Sequence, residues 1–419
     1  MREMKDSGIE WIGAIPQDWQ LSKIGSLYTQ RNEKVSDKDY QPLSVTMQGI
    51  LPQLATAAKT DDGDNRKLVR VGDFAINSRS DRRGSCGISP LDGSVSLINI
   101  ILTPRTAMHP GYYNWLFHTT LFADEFYKWG HGIVADLWTT RWQEMKSITV
   151  PVPEYAEQER IAAFLDAECA EIDAVLEKTR ASIEEYKKLK QAVITQAVTK
   201  GVRGDRPMKD SGIEWIGDIP AEWDVIRVKQ LLKERNERSK EGKEEPLSMS
   251  QKVGLVPTKF LESIPNMASS FVGAKLAYVD DLVFNKLKAH LGVFSVSRYD
   301  GLVSPDYAVY CSTGKSNLKY LEYIFKTPQC IGEFRKKSTG IAAGLMRLYT
   351  EGLFSIYLPY PALSEQEEIA EYLNEKCADI DALIAKKQQY LTEIENYKKS
   401  LIYEYVTGKK EVKTSVLAD

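Results

Sequence analysis

The stretch MKDSGIEWIGAIPQDW over residues 4–19 recurs as MKDSGIEWIGDIPAEW over residues 208–223, with thirteen of the 16 positions identical. The match continues along the chain, because Asp73 and Asn77 correspond to Asp281 and Asn285 at an offset of 208 residues. A period of about 200 residues is far too long for a solenoid repeat. The sequence therefore predicts a tandem duplication of a whole domain together with the segment that follows it.

Composition sets the outer limits on the kind of protein. The 419 residues are enough for two or three domains, and 43% hydrophobic with 27% charged residues is typical of soluble globular proteins. No apolar run reaches the ~18–20 residues of a membrane span, and the first residues lack the apolar core of a signal peptide. Five cysteines without a Cys-x-x-Cys pair argue against a disulfide framework. We therefore expect a cytoplasmic protein that has no membrane partner.

Within each copy the composition changes once. Residues 1–150 and 208–358 combine short apolar runs with Asp-Gly turns, which predicts globular domains of mixed α and β structure (α/β or α+β). Residues 112–128 and 317–337 are expected to be helical. The remaining segments are a helical region over 151–200, a linker over 201–207, a second helical region over 359–410 and a flexible tail over 411–419.

The two helical regions have the pattern of a coiled coil. Over residues 154–200 and 364–408, apolar positions alternate at spacings of four and three residues for about four heptads. Ser364 and Glu367 have the spacing of a capping box, which predicts the start of the second helix.

Charge patterning predicts how these helices pair. Residues 154–177 carry eight acidic side chains and one basic one, whereas residues 178–200 carry two acidic and six basic ones, and the second helix repeats the pattern. Complementarity to each helix dipole contributes to such a pattern. An antiparallel pair also sets each acidic end against a basic end. We therefore expect an intramolecular antiparallel coiled coil that relates the two domains by a pseudo-two-fold axis.

No catalytic constellation is found in the sequence. Gly314-Lys315-Ser316 resembles the end of a P-loop, but Val309 stands where the first glycine is required. There is no Gly-x-Gly-x-x-Gly, and the four histidines never form His-x-x-x-His. The residues therefore favour a binding or organising protein over an enzyme, with neither a catalytic nor a metal site.

Basic loops are the candidate binding residues. The overall net charge is −3, but each long helical region is itself acidic, which leaves a mildly basic remainder. In both copies basic residues lie between the same Asn and Gly, at 77–84 and 285–292, while the residues themselves differ. Basic side chains mixed with Ser and Thr suit contacts to phosphates and base edges. The candidate DNA contacts are Arg79, Ser80, Arg82, Arg83, Thr140, Arg141, Lys286, Lys288, His290, Arg335, Lys336, Lys337 and Arg347.

These motifs, taken together, resemble the specificity subunit of type I restriction-modification systems. The resemblance rests on MKDSGIEWIG-x-IP-x-x-W at the start of each copy and on Pro151-Val152-Pro153 and Pro359-Tyr360-Pro361 before the helices. It rests also on the Glu-Gln-Glu triplets at 157–159 and 365–367 and on Ile-Asp-Ala at 172–174 and 380–382. The resemblance covers essentially the whole chain.

The resemblance implies that the two globular domains are target recognition domains, each reading one half of a bipartite, asymmetric site in double-stranded DNA. It implies that the helices set the spacer length and dock two methyltransferase subunits, which use S-adenosylmethionine, while restriction/translocase subunits join for cleavage. The chain itself would be non-catalytic and hold no cofactor. The competing interpretation is a protein–protein scaffold with duplicated peptide-binding domains, whose helices would dimerise between chains. The intrachain duplication and the basic loops disfavour it.

Overall fold

The computed structural model describes residues 2–53, 63–132, 138–251, 253–261, 271–340 and 346–412. The chain divides into two compact units: unit 1 is Met1–Arg180 with Gln389–Asp419, and unit 2 is Ala181–Gln388. Each unit contains one globular part and a portion of two long helices. The predicted mixture of α and β structure is confirmed.

Unit 1 is built from short strands and four short helices around an aromatic core. Its strands are β1 (Met4–Asp6), β2 (Ala14–Pro16), β3 (Gln20–Lys23), β4 (Tyr28–Arg31), β5 (Lys34–Val35), β6 (Leu43–Thr46), β7 (Gly49–Pro52), β8 (Arg66–Val69), β9 (Phe74–Asn77), β10 (Cys86–Ile88), β11 (Gly93–Val95), β12 (Asn99–Pro104) and β13 (Thr149–Val152). Its short helices are α1 (Ile24–Leu27), α2 (Pro110–Phe117), α3 (Thr120–Lys128) and α4 (Trp142–Met145), and the long helix α5 (Tyr155–Lys200) begins here.

Unit 2 contains matching elements. Its strands are β14 (Met208–Asp210), β15 (Asp218–Pro220), β16 (Asp224–Arg227), β17 (Leu232–Arg235), β18 (Leu247–Ser250), β19 (Gly254–Pro257), β20 (Lys275–Ala277), β21 (Leu282–Asn285), β22 (Phe294–Val296), β23 (Gly301–Val303), β24 (Tyr307–Ser312) and β25 (Tyr357–Tyr360). Its short helices are α6 (Leu318–Phe325), α7 (Pro328–Lys337) and α8 (Thr350–Phe354), and the long helix α9 (Leu363–Val406) begins here.

The central sheet has the same antiparallel order in each unit, β10-β9-β12-β4 in unit 1 and β22-β21-β24-β17 in unit 2. The register is also the same, because Gln30 lies opposite Leu102 and Glu234 lies opposite Tyr310. The middle strands β9 and β21 read FAIN and LVFN, and such short apolar runs suit strands that are buried on both faces. The shared register makes the positions of the two units directly comparable.

The helices predicted over 112–128 and 317–337 are each divided in two. In unit 1 the break falls at Thr119, whose hydroxyl accepts a hydrogen bond from the Phe122 backbone N–H and so starts a new helix. Thr327 does the same for Cys330, and Pro328 follows as the first residue of α7. An N-cap threonine ends one helix and begins the next without disturbing the apolar pattern, which is why the pattern alone predicted one helix.

The two long helices, Tyr155–Lys200 and Leu363–Val406, lie within two residues of the bounds predicted from the heptad pattern, 154–200 and 364–408. The capping box predicted at Ser364 is wrong, because the helix begins at Leu363 and the Gln366 backbone N–H donates to the Ala362 carbonyl at 3.0 Å. After α9, Val412 is buried in the core of unit 1. The rest of the predicted tail, residues 413–419, lies outside the described residues.

Within each unit the portions of the two long helices run antiparallel. In unit 1 the Lys398 ammonium lies 2.6 Å from Asp173, and Arg180 lies 2.6 Å from Glu395. In unit 2 Lys190 lies 2.6 Å from Asp381. The pairs of Lys398 with Asp173 and of Lys190 with Asp381 join a basic stretch of one helix to an acidic stretch of the other, as the charge pattern of the sequence predicts, whereas Arg180 and Glu395 both lie in basic stretches.

The repeated N-terminal motif is anchored to the long helices by a buried carboxylate. In unit 1 the Trp19 indole N–H donates to Glu157 at 2.9 Å, and Arg2 pairs with the same carboxylate. In unit 2 the Trp223 indole donates to Glu365 at 3.0 Å, and Arg206 lies 2.6 Å from it. The Trp of the first motif and the first Glu of the Glu-Gln-Glu triplet therefore act as one structural joint.

The middle residue of the triplet joins the long helix to the globular part of each unit. The buried Gln158 amide accepts from the His109 backbone N–H at 2.9 Å and donates to the Pro153 carbonyl at 2.8 Å. Gln366 makes the same two bonds with Asn317 and Pro361. A buried amide that is satisfied on both sides fixes the orientation of the helix against the domain.

Candidate nucleic-acid interface

The first basic loop of unit 1 is held at both of its ends. The Asn77 backbone N–H donates to the Ser85 carbonyl at 2.9 Å, and the Asn77 side chain accepts from the Arg79 N–H at 3.0 Å. A turn of 3-10 helix over Ser80–Arg82 follows, and Gly84 closes the loop with a φ of +75°, a left-handed conformation that favours glycine. We call this arrangement the Asn–Gly frame.

Unit 2 repeats the Asn–Gly frame with different side chains. The Asn285 N–H donates to the Val293 carbonyl at 3.1 Å, the Asn285 side chain accepts from the Leu287 N–H at 3.1 Å, and Gly292 has a φ of +78°. The 3-10 turn here is Ala289–Leu291. Since asparagine and glycine set the backbone, the exposed residues between them can differ, whereas Ala289 is buried in the core of the unit.

A buried ion pair supports the strand that leads into each loop. In unit 1 Arg31 binds Asp73 with two nitrogens at 2.8 and 3.1 Å, and the Asp73 side chain is only 2% exposed. Arg235 binds Asp281 at the same two distances in unit 2. Asp73 also accepts from the Arg70 backbone N–H, so that the carboxylate is fully engaged. The base of each loop is therefore rigid.

The second basic segment of unit 1 lies directly beside the first loop. The Thr140 N–H donates to the Ser78 carbonyl at 3.0 Å, and the Ser80 N–H donates to the Trp138 carbonyl at 3.0 Å. Arg79 and Thr139 form an isolated antiparallel bridge. Segments about 60 residues apart in the sequence are thus brought together into one surface.

Unit 2 makes the corresponding contact. The Leu348 N–H donates to the Lys286 carbonyl at 3.0 Å, and Thr339 pairs with Arg347 as His131 pairs with Thr139. The Arg347 guanidinium reaches Asp306 at 3.2 Å. The two basic segments that the sequence singled out are therefore adjacent in both units.

The candidate residues of unit 1 differ in how accessible they are. Arg79, Arg82 and Arg141 are exposed, and the Arg82 guanidinium lies 3.8 Å from Asp81. Arg83 pairs with Asp124 and lies over the Tyr127 ring, with 5.9 Å between the guanidinium carbon and the ring centroid. Ser80 is half-buried. The exposed arginines are the side chains that remain available to a ligand.

Thr140 has a supporting position. Its side chain is fully buried, and its hydroxyl donates to the Phe126 carbonyl at 2.8 Å. A hydroxyl that is already bonded inside the domain holds the loop in place and does not reach a ligand. Sequence reasoning placed Thr140 among the DNA contacts because burial within a polar loop leaves no sequence signal.

The candidate residues of unit 2 are spread over the loop and the end of α7. Lys288 is exposed, whereas Lys286 is half-buried and donates to the Pro305 carbonyl at 3.1 Å. His290 is half-buried, and its Nδ1 has no hydrogen-bond partner within the described parts of the chain. The last turn of α7 carries three exposed cations, of which one pairs with Glu333: Arg335, Lys336 and Lys337.

Sequence reasoning missed two lysines next to the loops. Lys67 donates to the Asn99 carbonyl at 2.6 Å in unit 1, and Lys275 donates to the Tyr307 carbonyl at 3.2 Å in unit 2. Burial lowers the pKa of Lys67. Comparison of the two copies could have identified them, because Lys67 and Lys275 occupy the same position at the offset of 208 residues.

The described residues provide neither a metal centre nor a membrane-spanning helix. None of them form a group of three or more His, Cys, Asp or Glu side chains that could hold a metal ion. None of the helices they form is long and apolar enough to cross a membrane.

Comparison with known proteins identifies relatives of one kind. No family model matches the chain. The type I restriction enzyme MjaVIII specificity subunit of Methanocaldococcus jannaschii is 23% identical over 429 aligned residues, which cover 95% of this chain and 94% of the relative. The putative type I restriction enzyme MjaX specificity subunit of the same organism is 27% identical over 280 residues, covering 65% of this chain and 61% of the relative.

The fold is similar to that of solved chains with related descriptions. A chain from a study of complex assembly and conformational transition of the type I R-M system superposes with a TM-score of 0.72 at 12% identity, covering 94% of this chain and 99% of that chain. The HsdS subunit from Thermoanaerobacter tengcongensis gives a TM-score of 0.53 at 16% identity, covering 94% and 98%. The resemblance predicted from the repeated motifs is confirmed: this chain is similar in sequence and in fold to type I restriction enzyme specificity subunits.

Proposed function

We propose that the chain is the DNA-recognition subunit of a type I restriction-modification complex. The observation that carries the proposal is the contact between the two basic segments, made by the same backbone hydrogen bond in each unit: Thr140 to Ser78, and Leu348 to Lys286. Each unit thereby presents one continuous basic surface on a rigid frame. Positively charged surfaces with exposed arginine and lysine suit the phosphate backbone and the base edges of duplex DNA.

The duplication supports a bipartite target. Each unit carries one Asn–Gly frame, and the side chains within the frames differ, with Arg79 and Arg82 at the positions of Leu287 and His290. Side chains of different hydrogen-bonding geometry discriminate different bases. We infer that residues 1–150 and 208–358 are two target recognition domains that read two different half-sites, so that the whole site is asymmetric.

The long helices are proposed as the spacer and the docking elements. The ion pairs between α5 and α9 inside each unit support an intramolecular antiparallel coiled coil over residues 151–200 and 359–410. The partners are two methyltransferase subunits, which use S-adenosylmethionine, and restriction/translocase subunits. The chain itself is non-catalytic and acts in the cytoplasm. All contacts to bases come from its exposed loop residues, a set that leaves out Thr140.

Methylation mapping tests this proposal. The chain is expressed with its methyltransferase partners in a host without other adenine methylation, and the genome is sequenced by a method that detects methyladenine. The expected result is one motif with two different specified halves and an unspecified spacer between them. A continuous motif, or no methylation that depends on this chain, would contradict the proposal.

Sedimentation separates the proposal from the scaffold alternative. A scaffold whose helices dimerise between chains requires a dimer of the isolated protein. The intramolecular pairing, which the Lys398–Asp173 and Lys190–Asp381 pairs support, allows a monomer. A purely dimeric chain that shows no DNA-dependent complex with methyltransferase subunits would favour the scaffold.

A further inference from the structure

A cavity of about 340 Å³ opens beside the Asn–Gly frame of unit 1. Three cationic residues line it, contributed by β8, by the first loop and by the start of α4: Lys67, Arg79 and Arg141. The rest of the lining is uncharged and includes Gln30 and Ile98. No carboxylate belongs to the lining that the described residues form, so this part of the lining carries positive charge only.

The lysine in this cavity has no counter-charge. Its Nζ donates to the Asn99 carbonyl, and no carboxylate within the described parts of the chain pairs with it. Partial burial disfavours its charged form, which is why its pKa is lowered. An anion bound in the cavity would stabilise the charged form of Lys67, which burial disfavours.

The two arginines are placed by their backbones while their guanidinium groups stay unpaired among the described residues. The Arg79 N–H is held by Asn77, and the Arg141 N–H donates to the Glu144 carboxylate at 3.0 Å. Glu144 itself faces His131 at 3.9 Å and does not line the cavity. Cations whose backbones are fixed and whose guanidinium groups have no partner among the described residues can bind an oxyanion.

Unit 2 has carboxylates at the corresponding positions. Glu234 stands where unit 1 has Gln30, and it lies 3.4 Å from Lys275. Asp306 stands where unit 1 has Ile98, since Ser78 and Lys286 donate to these two residues in the same way. Asp306 holds Arg347 at 3.2 Å. Lys275 and Arg347 of unit 2 therefore each pair with a carboxylate, whereas the three cations that line the cavity of unit 1 pair with none among the described residues.

We infer that this cavity of unit 1 is an oxyanion site that takes one phosphate group, and that the group is a backbone phosphate of the bound DNA. The inference rests on the proposed function for the identity of the ligand. It adds that the two units hold DNA unequally: unit 1 has a phosphate site, whereas in unit 2 the equivalent Lys275 pairs with Glu234, and Leu287 and Tyr349 stand at the positions of Arg79 and Arg141.

The test installs the carboxylate of unit 2 in unit 1. In Gln30→Glu the new carboxylate faces Lys67 as Glu234 faces Lys275. The assembled complex with its methyltransferase subunits is titrated with a duplex carrying the mapped site at several salt concentrations. Loss of one phosphate contact should reduce the magnitude of the negative slope of log K against log salt by about 0.9. The preference for the site over a scrambled duplex should stay unchanged. A second variant is Arg141→Tyr, which places at position 141 the tyrosine that unit 2 has at the equivalent position, Tyr349. We expect the same change in slope.

The control matches the change in charge. Gln17→Glu adds one negative charge on an exposed residue of the N-terminal motif that does not line the cavity, and its slope should equal that of the wild type. Circular dichroism melting of each variant checks that it is folded.

A second arm identifies the source of the phosphate. Single backbone phosphates of the half-site are replaced one at a time by uncharged methylphosphonates. One position should weaken the wild-type complex and leave Gln30→Glu unaffected, which supports the DNA contact. If inorganic phosphate at constant ionic strength instead raises the melting temperature of the wild type but not of Gln30→Glu, and the DNA slopes are equal, the backbone assignment is overturned.

Equal slopes with no phosphate effect would overturn the oxyanion site altogether. That outcome remains distinct from failure of the proposed function, because the wild-type complex would still bind its mapped site. A wild-type complex without any site preference would overturn the proposed function itself.

Discussion

At the scale of single residues, one pair of equivalent positions is occupied by different polar side chains in the two units. In unit 1 the buried His118 lies with its Nδ1 2.7 Å from the Asn114 carbonyl, and burial lowers its pKa from 6.5. In unit 2 these positions hold Lys326 and Glu322, which form an ion pair at 2.5 Å. Burial raises the pKa of Glu322, but Lys326 and Lys319 outweigh it, so that its pKa lies below 4.5.

This difference predicts that acid destabilises unit 1 first. A histidine with a lowered folded pKa stays neutral in the folded state, while the unfolded chain takes up a proton below about pH 6.5, so stability falls as the pH drops below that value. The lowered pKa of Glu322 stabilises unit 2 above about pH 4.5 and is lost only below it. His118→Asn should flatten the dependence of the melting temperature on pH between 6.5 and 5. An identical dependence in wild type and variant would contradict the role of His118.

A second prediction at this scale concerns an exposed arginine of the first loop. Arg82 keeps 69% of its side chain exposed, and Arg82→Ala should weaken binding of the assembled complex to its site and reduce the salt slope by about one. Lys23→Ala, an exposed cation on β3, removes the same charge away from the loops and should change neither quantity. Equal effects of both substitutions would mean that the loop acts only through net charge.

At the scale of elements, the periodic parts of the chain were predictable and the capped parts were not. The heptads predicted 154–200 and 364–408, and the helices are Tyr155–Lys200 and Leu363–Val406. A heptad pattern reports which face is buried, and it extends over many residues. A helix boundary depends on a few local hydrogen bonds, which is why the threonine caps at Thr119 and Thr327 escaped the pattern.

The joint between the N-terminal motif and the long helix gives a prediction about stability. Glu365 and Arg206 are both largely buried, with side chains 3% and 10% exposed, and their contact is an ion pair rather than an aligned hydrogen bond. Glu365→Ala leaves the Trp223 indole without its acceptor and removes one of the carboxylates that pair with Arg206, another being the exposed Glu222, and should lower the free energy of unfolding by about 3 kcal/mol. Glu368→Ala removes a half-exposed partner of Arg203 and should cost less than about 1 kcal/mol. Chemical denaturation of both variants measures the difference, and equal losses would contradict the joint.

At the scale of the whole molecule, the sequence predicted the duplication and the two basic segments, but not that the segments touch. Their contact joins residues about 60 positions apart through backbone atoms, as between Thr140 and Ser78, and backbone hydrogen bonds leave no trace in residue identity. The cavity beside them was hidden for the same reason, since Gln30, Lys67 and Arg141 come from three distant segments.

The length of the long helices gives the prediction for the whole chain. Duplicating residues 181–187 and 389–395, which are equivalent in the two copies, adds one heptad to each helix and keeps its buried face in place. Seven residues add about 10 Å, the length of about three base pairs, so the spacer of the methylated motif should grow by up to about three pairs. Both half-sites should stay the same. Methylation mapping reads the result, and an unchanged spacer would refute the view that the helices set it.

The Asn–Gly frame has a consequence for how such a protein can change over time. The backbone of the loop is determined by Asn77 and Gly84 in unit 1 and by Asn285 and Gly292 in unit 2, and the exposed side chains between them take little part in the core. Mutations at these positions are therefore nearly neutral for folding while they alter what the surface can bind. A few substitutions at these positions can therefore change what the surface binds during evolution, and each intermediate sequence still folds.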